Sequence, residues 1–262
     1  MKKYLITFSK SLKAELSYRS AMLAGIASAL LGFVIQLFLW QALLGTGIRQ
    51  DTSFSDMVLY ILINSFMLEL TRSNVATTIE TAMIDGTVSM ELLRPMSYKY
   101  YLLASIFGKN FYSALTRTVP IVIVGLFFLS PNSCPSPVYM GLFGISALLG
   151  VLLLFEVTYV VGLLAFWIQR CWFLSWYLKG FQTFFGGTAV PLWFYPDALN
   201  TVGYFLPFRY MTFEPVNFFL QKTPLSQAAV PLLAAALWLV GLSLLDRLMW
   251  RAAMNRLAIN GG

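Results

Sequence analysis

The chain has 262 residues, of which 58% are hydrophobic and 11% are charged, and its mean hydropathy is +0.73. Soluble domains carry about 25% charged residues, so the composition excludes an ordinary soluble protein and predicts one integral membrane domain, residues 1–262. The net charge of +7 is typical of uneven Lys and Arg across a membrane, and no nucleic-acid partner is expected. Histidine is absent and the two cysteines, Cys134 and Cys171, lie far apart, so no metal site is expected.

The N-terminal segment, residues 2–19, has the pattern of an amphipathic helix. Leu5, Phe8, Leu12 and Leu16 recur at helical spacing, and lysines occupy the opposite side. Such a helix can lie in the membrane interface with its lysines toward anionic headgroups. We therefore predict an interfacial helix before the first span, with a frayed polar tail as the alternative.

Six apolar stretches predict an all-α membrane protein with six transmembrane helices. The second stretch turns polar from Glu69 onward, so we expect one long helix that leaves the membrane. Lys and Arg concentrate in the N-terminal helix, after the second span, at Arg170 and in the C-terminal tail, which predicts that both termini are cytoplasmic. The predicted spans are 21–44, 57 onward, 102–129, 138–168, 172–185 and 228–245.

The polar segment between the second and third spans contains a very short predicted helix, residues 88–94. Gly86 is suited to end the preceding helix, Thr87 or Ser89 to begin the next one, and Pro95 to stop it. Its mixed surface carries exposed apolar side chains, which on a turn of a membrane protein indicate a partner protein. A loop packed against the protein's own helices is the alternative.

The segment between the fifth and sixth spans, residues 181–220, is rich in aromatic residues, Gly and Pro. Its pieces are too short to span a membrane and are tolerated at membrane depth only when packed in protein or lining a cavity. We predict two short re-entrant helices, 188–195 and 197–205, within a hairpin of residues 186–208; an aromatic belt on an outer loop is the alternative. The hairpin is punctuated by Gly186, Gly187, Pro191, Trp193, Pro196 and Pro207.

Ionisable side chains within spans are functional candidates. Glu156 is the deepest of them, Glu69 and Arg72 have the spacing of an intrahelical pair, and Lys179 lies in the fifth span. The alternative for each is an ion pair or cavity-facing residue that fixes packing. The aromatic surface of the fifth span suits an amphipathic or lipid-like passenger, and it suits helix packing equally well. The candidate translocation path is Glu156, Trp176, Tyr177 and Phe181.

The sequence lacks the motifs of an ATPase or a hydrolase. No G-x-x-x-x-G-K-[ST] phosphate-binding loop occurs, and neither does a G-x-S-x-G or H-E-x-x-H motif. The chain is therefore not expected to be an enzyme, and any ATP hydrolysis must belong to another subunit.

Residues 84–88 and 91–95 resemble the coupling-helix region of ABC exporter permeases of the ABC-2 type. The amphipathic helix, the six spans, the hairpin before the last span and the basic ending at Gly261 and Gly262 resemble that family too. The resemblance implies that the turn at 169–171 makes a second, smaller contact. The coupling residues it implies are Asp85, Gly86, Val88, Met90, Glu91, Leu92, Leu93, Arg94 and Arg170. It also implies that the hairpin of residues 186–208 is the extracellular gate, with Gly186, Gly187, Pro191, Trp193, Pro196 and Pro207 as its gate residues.

The resemblance also implies a function. It predicts the transmembrane subunit of an ATP-driven exporter in the inner (plasma) membrane of a prokaryote. The expected partners are two ABC ATP-binding subunits that hold ATP and Mg, a second permease of the same or a related chain, and membrane lipid. Closure of the ATP-binding subunits would push the coupling helix, rock spans 1, 2 and 5 and open the outer gate, so charge reversal at Glu91 or Arg94 should uncouple transport. The passenger is expected to be a drug, peptide, lipid or glycan. The alternatives are an ATP-independent channel or secondary transporter, and a membrane scaffold.

Overall fold

The computed structural model describes residues 2–46, 52–129, 135–168 and 170–260, and these residues form helices and loops with no strand among them. Cys134, Gln169, Gly261 and Gly262 lie outside the described residues. The α-helices are α1 Lys2–Leu16, α2 Arg19–Gly45, α3 Phe54–Leu70, α4 Val75–Ile84, α5 Val88–Leu92, α6 Tyr98–Gly125, α7 Pro137–Leu163, α8 Trp172–Phe185, α9 Asp197–Tyr204, α10 Phe208–Met211, α11 Phe213–Phe219 and α12 Ala229–Asn260.

Five helical stretches within the described residues are long and apolar enough to cross a membrane. The predicted fifth span corresponds to α8, which has 14 residues. At 1.5 Å per residue α8 is about 21 Å long, which is shorter than a bilayer core of about 30 Å. Five of the six predicted spans therefore have the length of a membrane helix, and α8 alone does not. The five stretches are Arg19–Gly45, Phe54–Ile84, Tyr98–Phe128, Pro137–Phe166 and Leu225–Arg256.

The N-terminal helix α1 packs along α6. The ring centroids of Phe8 and Phe107 lie 5.8 Å apart, and the backbones approach so closely that a Cβ on Gly108 would lie 2.5 Å from the Phe8 carbonyl oxygen. Leu5 and Leu16 remain exposed. The predicted apolar face of α1 is thus divided, because one part packs against α6 and the other part faces outward.

The prediction of one continuous helix for the second span is wrong, because α3 ends at Leu70 and α4 begins at Val75. The side-chain amide of Asn110 on α6 donates a hydrogen bond to the Leu70 carbonyl at 2.9 Å and another to the carbonyl of Arg72. A helix break inside a membrane bundle is stable only when the freed backbone groups find such partners. The interruption at residues 71–74 is therefore a supported feature of the fold.

The two ends of the bundle are packed by different aromatic clusters. At the end that carries α5, which we call the α5 end, Trp250 stacks on Tyr98 with ring centroids 5.7 Å apart. At the opposite end, which we call the hairpin end, the ring centroids of Trp40 of α2 and Phe194 lie 5.0 Å apart. Long helices α6, α7 and α12 connect the two ends and place the sites described below.

Candidate coupling turn, clefts and hairpin

The turn that carries α5 presents apolar side chains outward. Gly86 ends the preceding helix with φ of +68°, the left-handed region that favours glycine, so the predicted helix end is confirmed. Val88 is buried and anchors α5. Met90 is 72% exposed, Leu93 is 84% exposed, and Ile84 at the end of α4 is also exposed. We call Ile84, Met90 and Leu93 the α5 patch.

The charged side chains of the same turn interact within the chain. One carboxylate oxygen of Glu91 is buried, and the carboxylate lies beside the Tyr98 hydroxyl. The Arg94 guanidinium lies 4.5 Å from the centre of the Tyr101 ring. Asp85 is exposed at the end of α4. The exposed surface of this turn therefore combines the α5 patch with the charged side chains of Asp85 and Arg94.

The start of α8 is fixed to α4 by a buried carboxylate. Glu80 Oε1 accepts a hydrogen bond from the backbone N–H of Cys171 at 3.0 Å, and the Cys171 thiol lies 3.7 Å from Oε2. Burial, with a smaller contribution from Glu80, raises the pKa of the Cys171 thiol to about 11. The neighbouring Arg170 is exposed. The Glu80–Cys171 contact thus joins α4 to the start of α8.

We expect maleimide to label Cys171 roughly a hundredfold more slowly at pH 7 than an exposed cysteine, because the thiolate is the reactive form and a raised pKa reduces its fraction. The test uses a Cys134→Ala background, and Ser89→Cys in a chain without Cys171 serves as the exposed control. Labelling of Cys171 should keep rising between about pH 7 and 10, since its pKa lies above that window. Equal rates for the two thiols at pH 7 would contradict the buried Glu80–Cys171 contact.

A cleft of about 630 Å³, which we call the α4–α8 cleft, opens where α3 is interrupted. Its walls come from α3, α4, α7 and α8, and Gln182 of α8 donates to the Thr71 hydroxyl across it at 3.4 Å. Trp176 lines the cleft, whereas Tyr177 and Phe181 lie on the exposed part of α8 and do not line it. The charged and amide side chains of the cleft are Glu69, Arg72, Asn74, Lys179 and Gln182.

Glu69 at the edge of this cleft pairs with two arginines. Its carboxylate lies 3.7 Å from Arg72 and 3.1 Å from Arg117 of α6. The predicted Glu69–Arg72 pair therefore forms, but it is not intrahelical, because α3 ends at Leu70. A Cβ on Gly25 of α2 would lie 2.7 Å from the Arg117 guanidinium, so α2 passes directly over the ion pair. Glu69 therefore joins α3 to α6 beneath α2.

The first part of the hairpin is held by α3. Gly187 has φ of +68°, and its carbonyl accepts a hydrogen bond from the Tyr60 hydroxyl at 2.5 Å. The carbonyl of Thr188 accepts another from the Asn64 amide at 3.0 Å. The predicted first re-entrant helix is wrong, since a single 3-10 turn, Leu192–Phe194, forms there. Side chains of α3 therefore donate hydrogen bonds to backbone carbonyls that would otherwise accept from the N–H groups of a helix at 188–195.

The second part of the hairpin contains the predicted helix, α9, and a buried ion pair clamps it. Arg209 Nε lies 2.5 Å from Glu214 Oε1, and Arg209 Nη1 donates to Asn200 Oδ1 at 2.5 Å. The guanidinium also lies 3.8 Å from the centre of the Tyr204 ring. Other predicted gate residues stand directly beside helix ends of this segment, namely Gly186, Pro191, Pro196 and Pro207.

Glu156 lies in a separate ion cluster. Lys99 Nζ lies 2.5 Å from Glu156 Oε1 and also forms an ion pair with Asp246. These three side chains come from α6, α7 and α12. Glu156 is absent from the lining of the α4–α8 cleft, so the structure does not bring it together with Trp176 as the predicted translocation path requires.

Comparison with known proteins identifies the family. The family model described as ABC-2 family transporter protein matches residues 26–261. The chain belongs to the ABC-2 transporter family. It is a membrane-spanning transport component of the kind that associates with an ABC ATP-binding subunit. Neither a curated protein nor a solved structure matches the chain.

Several residues that shape this ABC-2 permease give little signal in its sequence. Sequence reasoning does not select Glu80 or Asp246 as part of a buried polar contact. The position of Asp246 directly after the apolar run at 228–245 is the signal that could have identified it. Lys99 is one of the basic residues after the second span, whose concentration there predicts topology and not an ion pair. Arg209 and Glu214 stand five residues apart in the aromatic segment, a spacing that no helical-pair rule selects.

Proposed function

We propose that the chain is the permease subunit of an ATP-driven ABC exporter and that the α5 patch docks on the ATP-binding subunit. The observation that carries this proposal is the outward position of Met90 and Leu93 on a turn whose base is anchored by buried Val88. Large apolar side chains so exposed at one tip are typical of a protein interface. Membership of the ABC-2 family supplies the partner.

The contacts of α4 support a route from this interface into the membrane. α5 follows α4 after a three-residue turn, and Glu80 of α4 holds the backbone of Cys171 at the start of α8. The interruption at residues 71–74 separates α4 from the outer part of the second span. A push on α5 would therefore move α4 and α8 together while α3 stays in place, which gives ATP hydrolysis a path to the cleft.

The α4–α8 cleft is the proposed half of the translocation path. Its polar groups lie on one side of α8, and exposed aromatic side chains, Trp172, Trp176, Tyr177 and Phe181, lie along that helix. Such a surface suits an amphipathic or lipid-like passenger such as a drug, peptide, lipid or glycan, and a second permease, the same or a related chain, would complete the enclosure.

The proposed membrane arrangement assigns a place to the hairpin, to α1 and to both termini. α8 and the hairpin of residues 186–208 together would make the sixth crossing, with the hairpin as the extracellular gate. α1 would lie at the cytoplasmic interface among membrane lipids, with both termini cytoplasmic in the inner (plasma) membrane of a prokaryote. ATP and Mg would be held by two ATP-binding subunits, and this chain would have no ATPase activity of its own.

The test is gentle purification of the tagged full chain from its native membranes, followed by identification and quantification of co-purifying proteins by mass spectrometry. We expect an ATPase with a phosphate-binding loop in about equal amount, because permease and ATP-binding subunits assemble in fixed proportion. An unrelated tagged membrane protein from the same membranes is the control. Recovery of the chain alone, from a detergent that preserves other transporters, would contradict the proposal and favour an ATP-independent channel or secondary transporter.

A further inference from the structure

A second cleft, which we call the α6–α12 cleft, has a volume of about 600 Å³ and lies between α6, α7 and α12. Lys99, Glu156 and Asp246 form its floor, so two carboxylates face one ammonium. Glu156 is 6% exposed and Asp246 is 3% exposed. Two buried carboxylates against a single ammonium leave one negative charge without a partner, which is costly, so the floor of the cleft is suited to a further cation that carries N–H groups.

The wall of the α6–α12 cleft is apolar on the side toward the middle of the bundle. Leu103 lies about one helical turn from Lys99, Leu152 one turn from Glu156, and Leu239 two turns from Asp246. Because α6 runs opposite in direction to α7 and α12, all three leucines lie on the side toward the middle of the bundle.

The side of the cleft toward the α5 end is polar and aromatic. Arg247 is exposed beside the ion cluster, and Tyr98, Tyr159 and Trp250 form a stacked wall, with the Tyr159 and Trp250 rings 6.5 Å apart. The cleft thus has a charged zone at one level and an apolar zone deeper in the membrane domain. This is the layout of a phospholipid headgroup and its acyl chain.

We propose that the α6–α12 cleft binds a phospholipid whose headgroup carries a primary ammonium. The ammonium donates to the carboxylates of Glu156 and Asp246, the phosphate faces Arg247, and an acyl chain follows the leucine wall. A choline headgroup has no N–H to donate, and a headgroup that carries negative charge alone meets two carboxylates. The site therefore discriminates among lipids by the positive charge and the N–H donors that its two carboxylates require.

The test is native mass spectrometry of the full chain in mixed micelles that contain equal amounts of phosphatidylethanolamine, phosphatidylcholine and phosphatidylglycerol with the same acyl chains. We expect the wild type to retain phosphatidylethanolamine roughly tenfold over the other two lipids, the effect of one hydrogen bond to a charged group. Glu156→Gln should abolish this preference. Asp197→Asn, which removes an exposed carboxylate at the hairpin end, is the matched control and should keep it.

A second variant keeps the test valid if Glu156→Gln fails to fold. Leu239→Trp fills the apolar wall and leaves the charged floor unchanged, so it should reduce retention of phosphatidylethanolamine to the level of the other lipids. Equal retention of all three lipids by the wild type would overturn the proposal, and so would a preference that survives both variants. The measurement needs neither ATP nor a second subunit, so its failure is distinguishable from a failure of the exporter function.

Discussion

Replacing Arg209 with methionine is expected to lower the melting temperature of the purified chain by on the order of 10 °C. The Arg209–Glu214 pair is buried, and the guanidinium also holds Asn200 of α9. Removing one partner of a buried ion pair leaves the other charge without compensation and costs about 3–5 kcal/mol of the free energy of unfolding. For a chain of this length each kcal/mol corresponds to about 2–4 °C.

Thermal unfolding in one detergent, followed by tryptophan fluorescence, measures the effect. Glu214→Leu alone should be about as damaging as Arg209→Met, whereas the double variant should recover much of the loss, because a well-packed apolar pair often replaces a buried ion pair at little cost. Asp197→Asn, on the same hairpin but exposed, should stay within about 1 kcal/mol of the wild type. Single variants with unchanged melting temperatures would show that the ion pair does not clamp the hairpin.

Local signals in the sequence were enough to predict the position and the start of α5, although the helix ends at Leu92, two residues before the predicted end at residue 94. Gly86 adopts the left-handed conformation that ends α4, and the short helix Val88–Leu92 follows it, because backbone conformation at a turn depends mainly on the residues within it. The apolar runs likewise predict the five long helices, since each run is long enough to cross a bilayer core.

The features that sequence reasoning mispredicted depend on contacts between distant residues. The interruption of the second span is supported by Asn110 of α6, and the missing re-entrant helix by Tyr60 and Asn64 of α3. These side chains capture backbone carbonyls more than 30 residues away in the chain. Propensity within a window carries no information about such partners, so a polar but helix-compatible stretch such as 71–74 looks continuous.

The sequence also does not reveal the direction in which a side chain points. The sequence suggested Glu91 and Arg94 as surface charges of the coupling helix. Arg94 is exposed, with its guanidinium over the Tyr101 ring, whereas the carboxylate of Glu91 turns toward Tyr98. A helix of five residues is too short for a periodic pattern to reveal its buried face. Charge reversal at Glu91 therefore tests the packing of the turn before it tests a partner contact.

Leu93→Asp and Met90→Asp are the variants that test the partner contact itself, and each is expected to weaken binding of the ATP-binding subunit roughly 10- to 100-fold. Burying a Leu or Met side chain at an interface contributes about 1.5–3 kcal/mol, and a carboxylate in the same place adds a desolvation cost. Both side chains are exposed in the chain alone, so neither variant should disturb membrane insertion or thermal stability. ATP-driven transport should fall in parallel with binding.

The affinity is measured by titrating the ATP-binding subunit that co-purifies with the chain onto the detergent-solubilised permease, with each variant's melting temperature determined alongside. Leu225→Asp is the matched control, because Leu225 is also an exposed leucine but lies at the hairpin end, where an ATP-binding subunit at the α5 end makes no contact. Wild-type affinity in both α5 variants would place the interface elsewhere on the permease. An equal loss in Leu225→Asp would assign the effect to a general disturbance of the membrane domain, since the two leucines lie at opposite ends of the bundle.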